Sequence, residues 1–152
     1  MRRNRDCILD YRCVYRQLGD SIQFLEASSL GSSHAEYSTI LGYESNDQLF
    51  PSRNAAPLTY NVDCISLEQL LDSQSAPSVI NFLSIDTEGS EYDILRDFDY
   101  GKKYTINSIC VEHNNVPDKR ERISQLMKEW GLIRVLQHLS RWDDWYVDPD
   151  HW

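Results

Sequence analysis

Two short polar strings in this 152-residue chain carry side chains that can do acid–base chemistry. One is Asp86-Thr87-Glu88-Gly89-Ser90 and the other is Glu112-His113-Asn114-Asn115. Each follows an apolar, strand-like run, residues 79–85 and 106–111. Carboxylates or an imidazole at such strand ends can take the proton of a hydroxyl. Asp86 directly follows its strand and is the first candidate for a general base or a metal ligand. His113 is a second candidate base, because imidazole titrates near neutral pH. Asp86, Glu112 and Asn114 are hard oxygen donors of the kind magnesium takes, so a divalent cation is a further option. Each residue also has a plainer reading. Asp86 or Thr87 could cap the helix that follows. Glu88 could be a first-turn acid favoured by the helix dipole. His113 could be structural, bonding a loop carbonyl. Glu91 reads as a surface or helix-terminal charge, and Gly89 as the relief a tight strand-to-helix turn needs.

The elements that must hold these strings come from apolar spacing. Residues 7–15 read as a strand, 17–20 as a turn and 21–25 as a returning strand, so a hairpin is predicted over 7–25. Residues 26–61 lose any period and read as a long irregular loop. A short strand follows at 62–65. Ser66 then caps a helix whose stripe is Leu67, Leu70 and Leu71, with Gln69 completing a capping box. Residues 79–85 are almost wholly apolar, as in a parallel strand covered on both faces. Tyr92, Leu95 and Phe98 give a helix over 91–98. After the second buried strand, Ile123, Leu126, Met127 and Trp130 stripe a helix over 118–130, closed by Gly131. Two last strands, 133–138 and 145–147, form a hairpin with Asp143-Asp144 in its turn. The order is that of an α/β fold with a parallel sheet. In such sheets ligands bind beyond the carboxyl ends of the strands, which is where both strings fall.

Composition narrows the function. Fifteen Lys and Arg against twenty-four Asp and Glu give a net charge of −9. A chain this acidic is not expected to bind nucleic acid or an anionic membrane surface. The content is 41% hydrophobic and 26% charged, as a globular domain requires. No apolar run can span a bilayer, and no apolar stretch follows the basic Met-Arg-Arg-Asn-Arg start, so a cytoplasmic protein is expected. Cys7, Cys64 and Cys110 lie in strand-like segments, and with Cys13 they read as free thiols rather than a zinc site.

The run from Phe82 to Glu91 (FLSIDTEGSE), then Asp93-Ile94-Leu95, then Ile109-Cys110-Val111-Glu112-His113-Asn114, resembles the FkbM-type methyltransferases. The helix over 118–130 and the closing Asp144-Trp145-Tyr146-Val147 are similar to that family's tail. The resemblance spans 62–147 and is weaker over 5–25. It implies a Rossmann-like class I methyltransferase sheet, mostly parallel with a C-terminal antiparallel hairpin, and S-adenosylmethionine as cofactor. It further implies an O-methyltransferase acting on a hydroxyl of a sugar, polysaccharide or secondary metabolite, with Asp86, Glu88, Glu112 and His113 as catalytic candidates. The chain departs from the family at one point. It has no Asp-x-Gly-x-x-x-Gly string, the usual cofactor loop. Residues 7–15 match the family's third strand, and 2–5 the end of the helix before it. The expectation is therefore a single partial domain over 1–152, with its α/β core at 62–148 and the first two strands absent. Binding of S-adenosylmethionine by this chain would then be weak or nil. The run 79–85 would present an open edge through which the chain could self-associate. The competing class is a non-catalytic remnant, or a partner-binding domain of the same fold.

Overall fold

The computed structural model describes residues 7–15, 21–26, 38–43 and 58–151. Its strands are β1 (Cys13–Val14), β2 (Ser21–Glu26), β3 (Thr39–Ile40), β4 (Leu58–Ile65), β5 (Val79–Ile80), β6 (Leu83–Ile85), β7 (Thr105–Ile106), β8 (Ser108–Glu112), β9 (Ile133–Val135) and β10 (Asp143–Val147). Its helices are α1 (Leu67–Ser73), α2 (Glu91–Arg96) and α3 (Pro117–Glu129). Strand and helix alternate from β4 to β8, as the α/β reading requires.

The sheets depart from a mostly parallel one. One is ordered β6-β8-β10-β9, a second β1-β4-β2-β3, and β5 pairs with β7 in a third. Among the described strands, β5 pairs with β7, β6 with β8 and β1 with β4 in parallel. The other strand pairs described are antiparallel, including the expected terminal hairpin of β9 and β10. Each of the two apolar runs is also broken in two, at Asn81-Phe82 and at Asn107. Asn107 continues the β5–β7 ladder by donating its amide to the Ile80 carbonyl at 2.8 Å, then turns its own carbonyl to the Asp148 amide. The side-chain amides and the change of partner split what the apolar pattern reads as continuous strands.

The predicted hairpin over 7–25 is corrected. β4 lies between β1 and β2, pairing with β1 in parallel and with β2 antiparallel through six residue pairs from Ser21↔Asp63 to Glu26↔Leu58. A longer partner satisfies more of β2's amides than a two-residue β1 could. The loop reading of 26–61 also changes, since β3 and the first residues of β4 fall inside it; its residues 27–37 and 44–57, and the predicted turn at 17–20, lie outside the described residues. So does the helix end read at 2–5. Cys7 is exposed and outside any strand, whereas Cys64 and Cys110 are buried, and all four cysteines are free. Asp143 and Asp144 are not in a turn; both belong to β10, opposite Glu112 and Val111.

The core lies between the β6-β8-β10-β9 sheet and helices α2 and α3. Leu95, Ile106, Ile109, Val111, Ile123, Met127 and Tyr146 are its most buried members. Each such side chain contributes about 1.5–3 kcal/mol on burial. α3 starts with Pro117, whose missing N–H costs nothing at that position, and ends where Gly131 takes φ +80°. Trp130 closes its last turn by stacking on Tyr100 at 4.5 Å. Ser66 caps α1 by accepting from the Gln69 amide at 3.2 Å, but the Gln69 side chain makes no return bond. No helix among the described residues is long and apolar enough to cross a membrane.

Candidate functional site

β6 and β8 run in parallel with Ile85 opposite Val111, so Asp86 and Glu112 leave adjacent strand ends together. Carboxylate oxygens of Asp86, Glu91 and Glu112 all lie within 4.8 Å of one another. The loop between β6 and α2 makes this approach possible. Glu88 takes φ +54° and Gly89 φ +129°, the second a value that L side chains rarely adopt. The chain thereby folds back on itself. Glu91 Oε1 accepts the amides of Thr87 at 2.9 Å and Gly89 at 3.1 Å. The Ser90 hydroxyl donates to Thr87 Oγ1 at 2.9 Å. The capping alternative for Asp86 and Thr87 fails here. Ser90 is the N-cap residue and makes no side-chain cap bond, while Thr87 is used inside the loop.

Glu91 stands at the start of α2, as a helix-terminal charge does, but it is fully buried and not on the surface. Its Oε2 lies 2.6 Å from Nζ of Lys119, itself 3% exposed. A Glu beside a helix start usually answers the dipole. Here it is buried because a lysine from another helix meets it.

Glu112 is the most perturbed carboxyl of the group. Asn114 Nδ2 donates to its Oε2 at 2.9 Å and also reaches Glu88 Oε2 at 3.5 Å. Asn114 and Asn115 take φ +52° and +54°, which turns the Asn114 amide back over the strand end. Burial, and then the charges of Asp86, Glu88 and Glu91, push the Glu112 carboxyl up to about 9. Asp86 is also raised, by burial of its carboxyl and by Glu91, while a hydrogen bond from Glu112 works the other way. Asp86 is nonetheless exposed on its open side. Burial and the neighbouring charges thus favour the neutral form of both carboxyls, of Glu112 the more strongly.

His113 is placed behind this centre. It is 1% exposed. Its Nδ1 accepts the Asn115 amide at 3.0 Å, which leaves the proton on Nε2. Nε2 faces Asp144 Oδ1 at 3.6 Å. Asp144 is fully buried and gathers three cationic or polar partners. Arg120 binds it through both Nε and Nη2 at 2.8 Å, and Arg134 Nη2 lies 2.6 Å away. Burial alone would raise the Asp144 carboxyl, but His113 and Arg120 outweigh it and hold it well below the usual carboxylate range.

Space beside the centre opens toward the second sheet. Asp86 and Thr87 line a cavity of about 260 Å³ together with Cys13, Phe24 and Ile40. They also line one of about 160 Å³ with Leu67, Leu70 and Leu83. The second lies along β6, which pairs with β8 only among the described residues. The β1-β4-β2-β3 sheet reaches the site loop directly, where Thr39 Oγ1 donates to the Glu88 carbonyl at 2.7 Å.

Among the described residues that line these cavities there is no glycine. Of the expected metal set, Asp86 and Glu112 are brought together with Glu91, and Asn114 lies beside them with its NH₂ donating to Glu112. The Lys119 ammonium lies 2.6 Å from Glu91 Oε2.

Of the residues the sequence singles out, Asp86, Glu88, Glu112 and Asn114 come together here and His113 lies behind them; Lys119, Asp144 and the burial of Glu91 are not foreseen by it. One signal for Lys119 was available. A lysine in the first turn of α3 runs against the helix dipole, so something outside the helix must hold it.

A model of the methyltransferase FkbM domain matches residues 11–140. No curated protein and no solved structure matches the chain. The matched span covers most of the sequence, and the chain belongs to the FkbM methyltransferase domain family.

Proposed function

We propose, starting from that membership, that the chain carries the acceptor side of an S-adenosylmethionine-dependent O-methyltransferase. Its acceptor is a hydroxyl of a sugar, polysaccharide or secondary metabolite. One observation supports this most: the Asp86–Glu112 pair at adjacent strand ends, held by Asn114 and open to a cleft. An acceptor hydroxyl entering that cleft would hand its proton to Asp86. A carboxylate whose affinity for protons is raised is a better base than an ordinary one. Glu112 stays neutral and steadies the charge on Asp86. Asn114 fixes the Glu112 carboxyl, Glu88 accepts from the same amide, and His113 holds the turn that carries Asn114. The described residues supply no grip for the methyl donor, so the reading concerns proton removal and acceptor placement alone.

The test pairs two titrations of the chain. With S-adenosylmethionine, calorimetry should show no micromolar binding; such binding would mean that the chain carries the donor side as well, and would overturn its restriction to the acceptor side. On a glycan and metabolite array the chain should retain hydroxylated ligands, and Asp86→Asn should weaken that retention. If nothing is retained, the acceptor reading fails, and a non-catalytic remnant of the same fold takes its place.

A further inference from the structure

We propose that Lys119 is the built-in cation of the carboxylate centre, occupying the position a divalent metal would otherwise take. Three carboxylates within 4.8 Å of one another are close enough to share one ion, and without a cation they would repel each other strongly. Lys119 supplies that cation from the first turn of α3. Its Nζ sits 2.6 Å from Glu91 Oε2, with its side chain 3% exposed and that of Glu91 fully buried. Local structure does not favour the placement. An ammonium at a helix N-terminus opposes the dipole, and a buried lysine gives up its hydration. The carboxylates are what repay both costs. The Lys119 charge also pulls the carboxyls of Asp86 and Glu112 down, against the burial and neighbouring charges that push them up.

Magnesium demands near-ideal octahedral geometry and several retained waters. With the ammonium in place, a metal would meet a second cation at contact distance. Lys119 is therefore a positioning residue. It fixes Glu91, and through Glu91 the loop that aims Asp86. The inference rests on the geometry of the centre and does not require the acceptor reading.

The test is a manganese titration of the chain and of Lys119→Ala, read by melting temperature and by paramagnetic broadening of the amides of residues 86–91 and 112–114. The wild-type chain should neither broaden there nor melt differently in millimolar manganese. Lys119→Ala should melt roughly 10 °C lower, and manganese should restore much of that loss while broadening those amides. A structural lysine with no link to a cation position would show the drop without the rescue, and that result overturns the proposal. Micromolar manganese binding by the wild-type chain overturns it as well. If Lys119→Ala does not fold, the double variant Lys119→Met with Glu91→Gln removes both charges. It should fold, and it should bind manganese no better than the wild type, because a ligand has gone with the lysine. Tight binding by this double variant would contradict the assignment of Glu91.

Discussion

The β6-β8-β10-β9 sheet and the β1-β4-β2-β3 sheet have four strands each and very different interiors. In the first, β8 is buried from Ile109 to Glu112, and even its charged neighbours Glu91, Lys119 and Asp144 are covered and paired. In the second, β4 is largely exposed for its first six residues, and only Cys64 and Ile65 are buried at its end. Ile8, Tyr11 and Leu58 all face solvent. The first sheet is held by a core and by buried charge networks. The second is held by ladder hydrogen bonds and a few anchors, among them Thr39 on Glu88 and Tyr43 on Asp93. The difference places the rigid half of the site on β6, β8 and α3. The half that shapes the cleft lies on a sheet with little core of its own.

The largest expected effect strikes the first sheet. Asp144→Ala strands two guanidiniums beside a buried strand and should cost about 3–5 kcal/mol in urea unfolding. A cost under about 1 kcal/mol would mean the Arg120 and Arg134 contacts add nothing net. The Asp144 contribution also has a pH sign. Its carboxyl is depressed in the folded chain, so the stabilisation is present above the ordinary carboxylate range and is lost as pH falls through it.

Glu112 should behave in the opposite way. Its folded value of about 9 stands above the ordinary 4.5. Between those limits the folded chain binds more protons than the unfolded one, so stability falls as pH rises from about 5 to 9. Glu112→Gln keeps the shape and removes the titration. Its unfolding free energy should be flatter across that window than that of the wild type, by something on the order of 2 kcal/mol. Parallel curves would remove the raised carboxyl from the account.

Two smaller changes probe the second sheet. Thr39→Val breaks the bond to the Glu88 carbonyl and should cost about 1 kcal/mol. Hydrogen exchange should quicken in the loop at 86–90 while β8 stays protected. Faster exchange throughout β8 would show that the two sheets form one cooperative unit. Leu58→Ser, at a site 60% exposed, should stay within about 0.5 kcal/mol of the wild type. A larger loss would mean that β4 has a cover the described residues do not provide.

The same contrast explains how much of the fold the sequence made legible. From residue 79 onward the apolar runs are dense and the helical stripes regular. α2, α3 and the meeting of Asp86 with Glu112 fall where the pattern predicts, and the β9–β10 hairpin forms with its turn displaced to before Asp143. The breaks at Asn81-Phe82 and Asn107 do not, because a change of strand partner leaves no periodic mark. In the N-terminal part β2 falls where the pattern predicts, but of the strand read at 7–15 only Cys13–Val14 forms, β3 lies in the predicted loop, and the pairing left no mark. Nothing in 7–25 indicates that β2 prefers β4, since that choice depends on a register between segments far apart in the chain. The buried charges failed for a related reason. Glu91 and Lys119 each look like a solvated helix charge until the two are brought together.

The account turns on one proton, held by Glu112 against Asp86 at the mouth of the cleft. Carbon-13 chemical shifts of the side-chain carboxyls, followed from pH 3 to 10 in the chain and in Asp86→Asn, test it most directly. The account predicts that Glu112 is still protonated at pH 7 and titrates near 9, and that its value drops when the Asp86 charge is removed. A Glu112 carboxyl that titrates close to 4.5 and ignores the Asp86 substitution would contradict it.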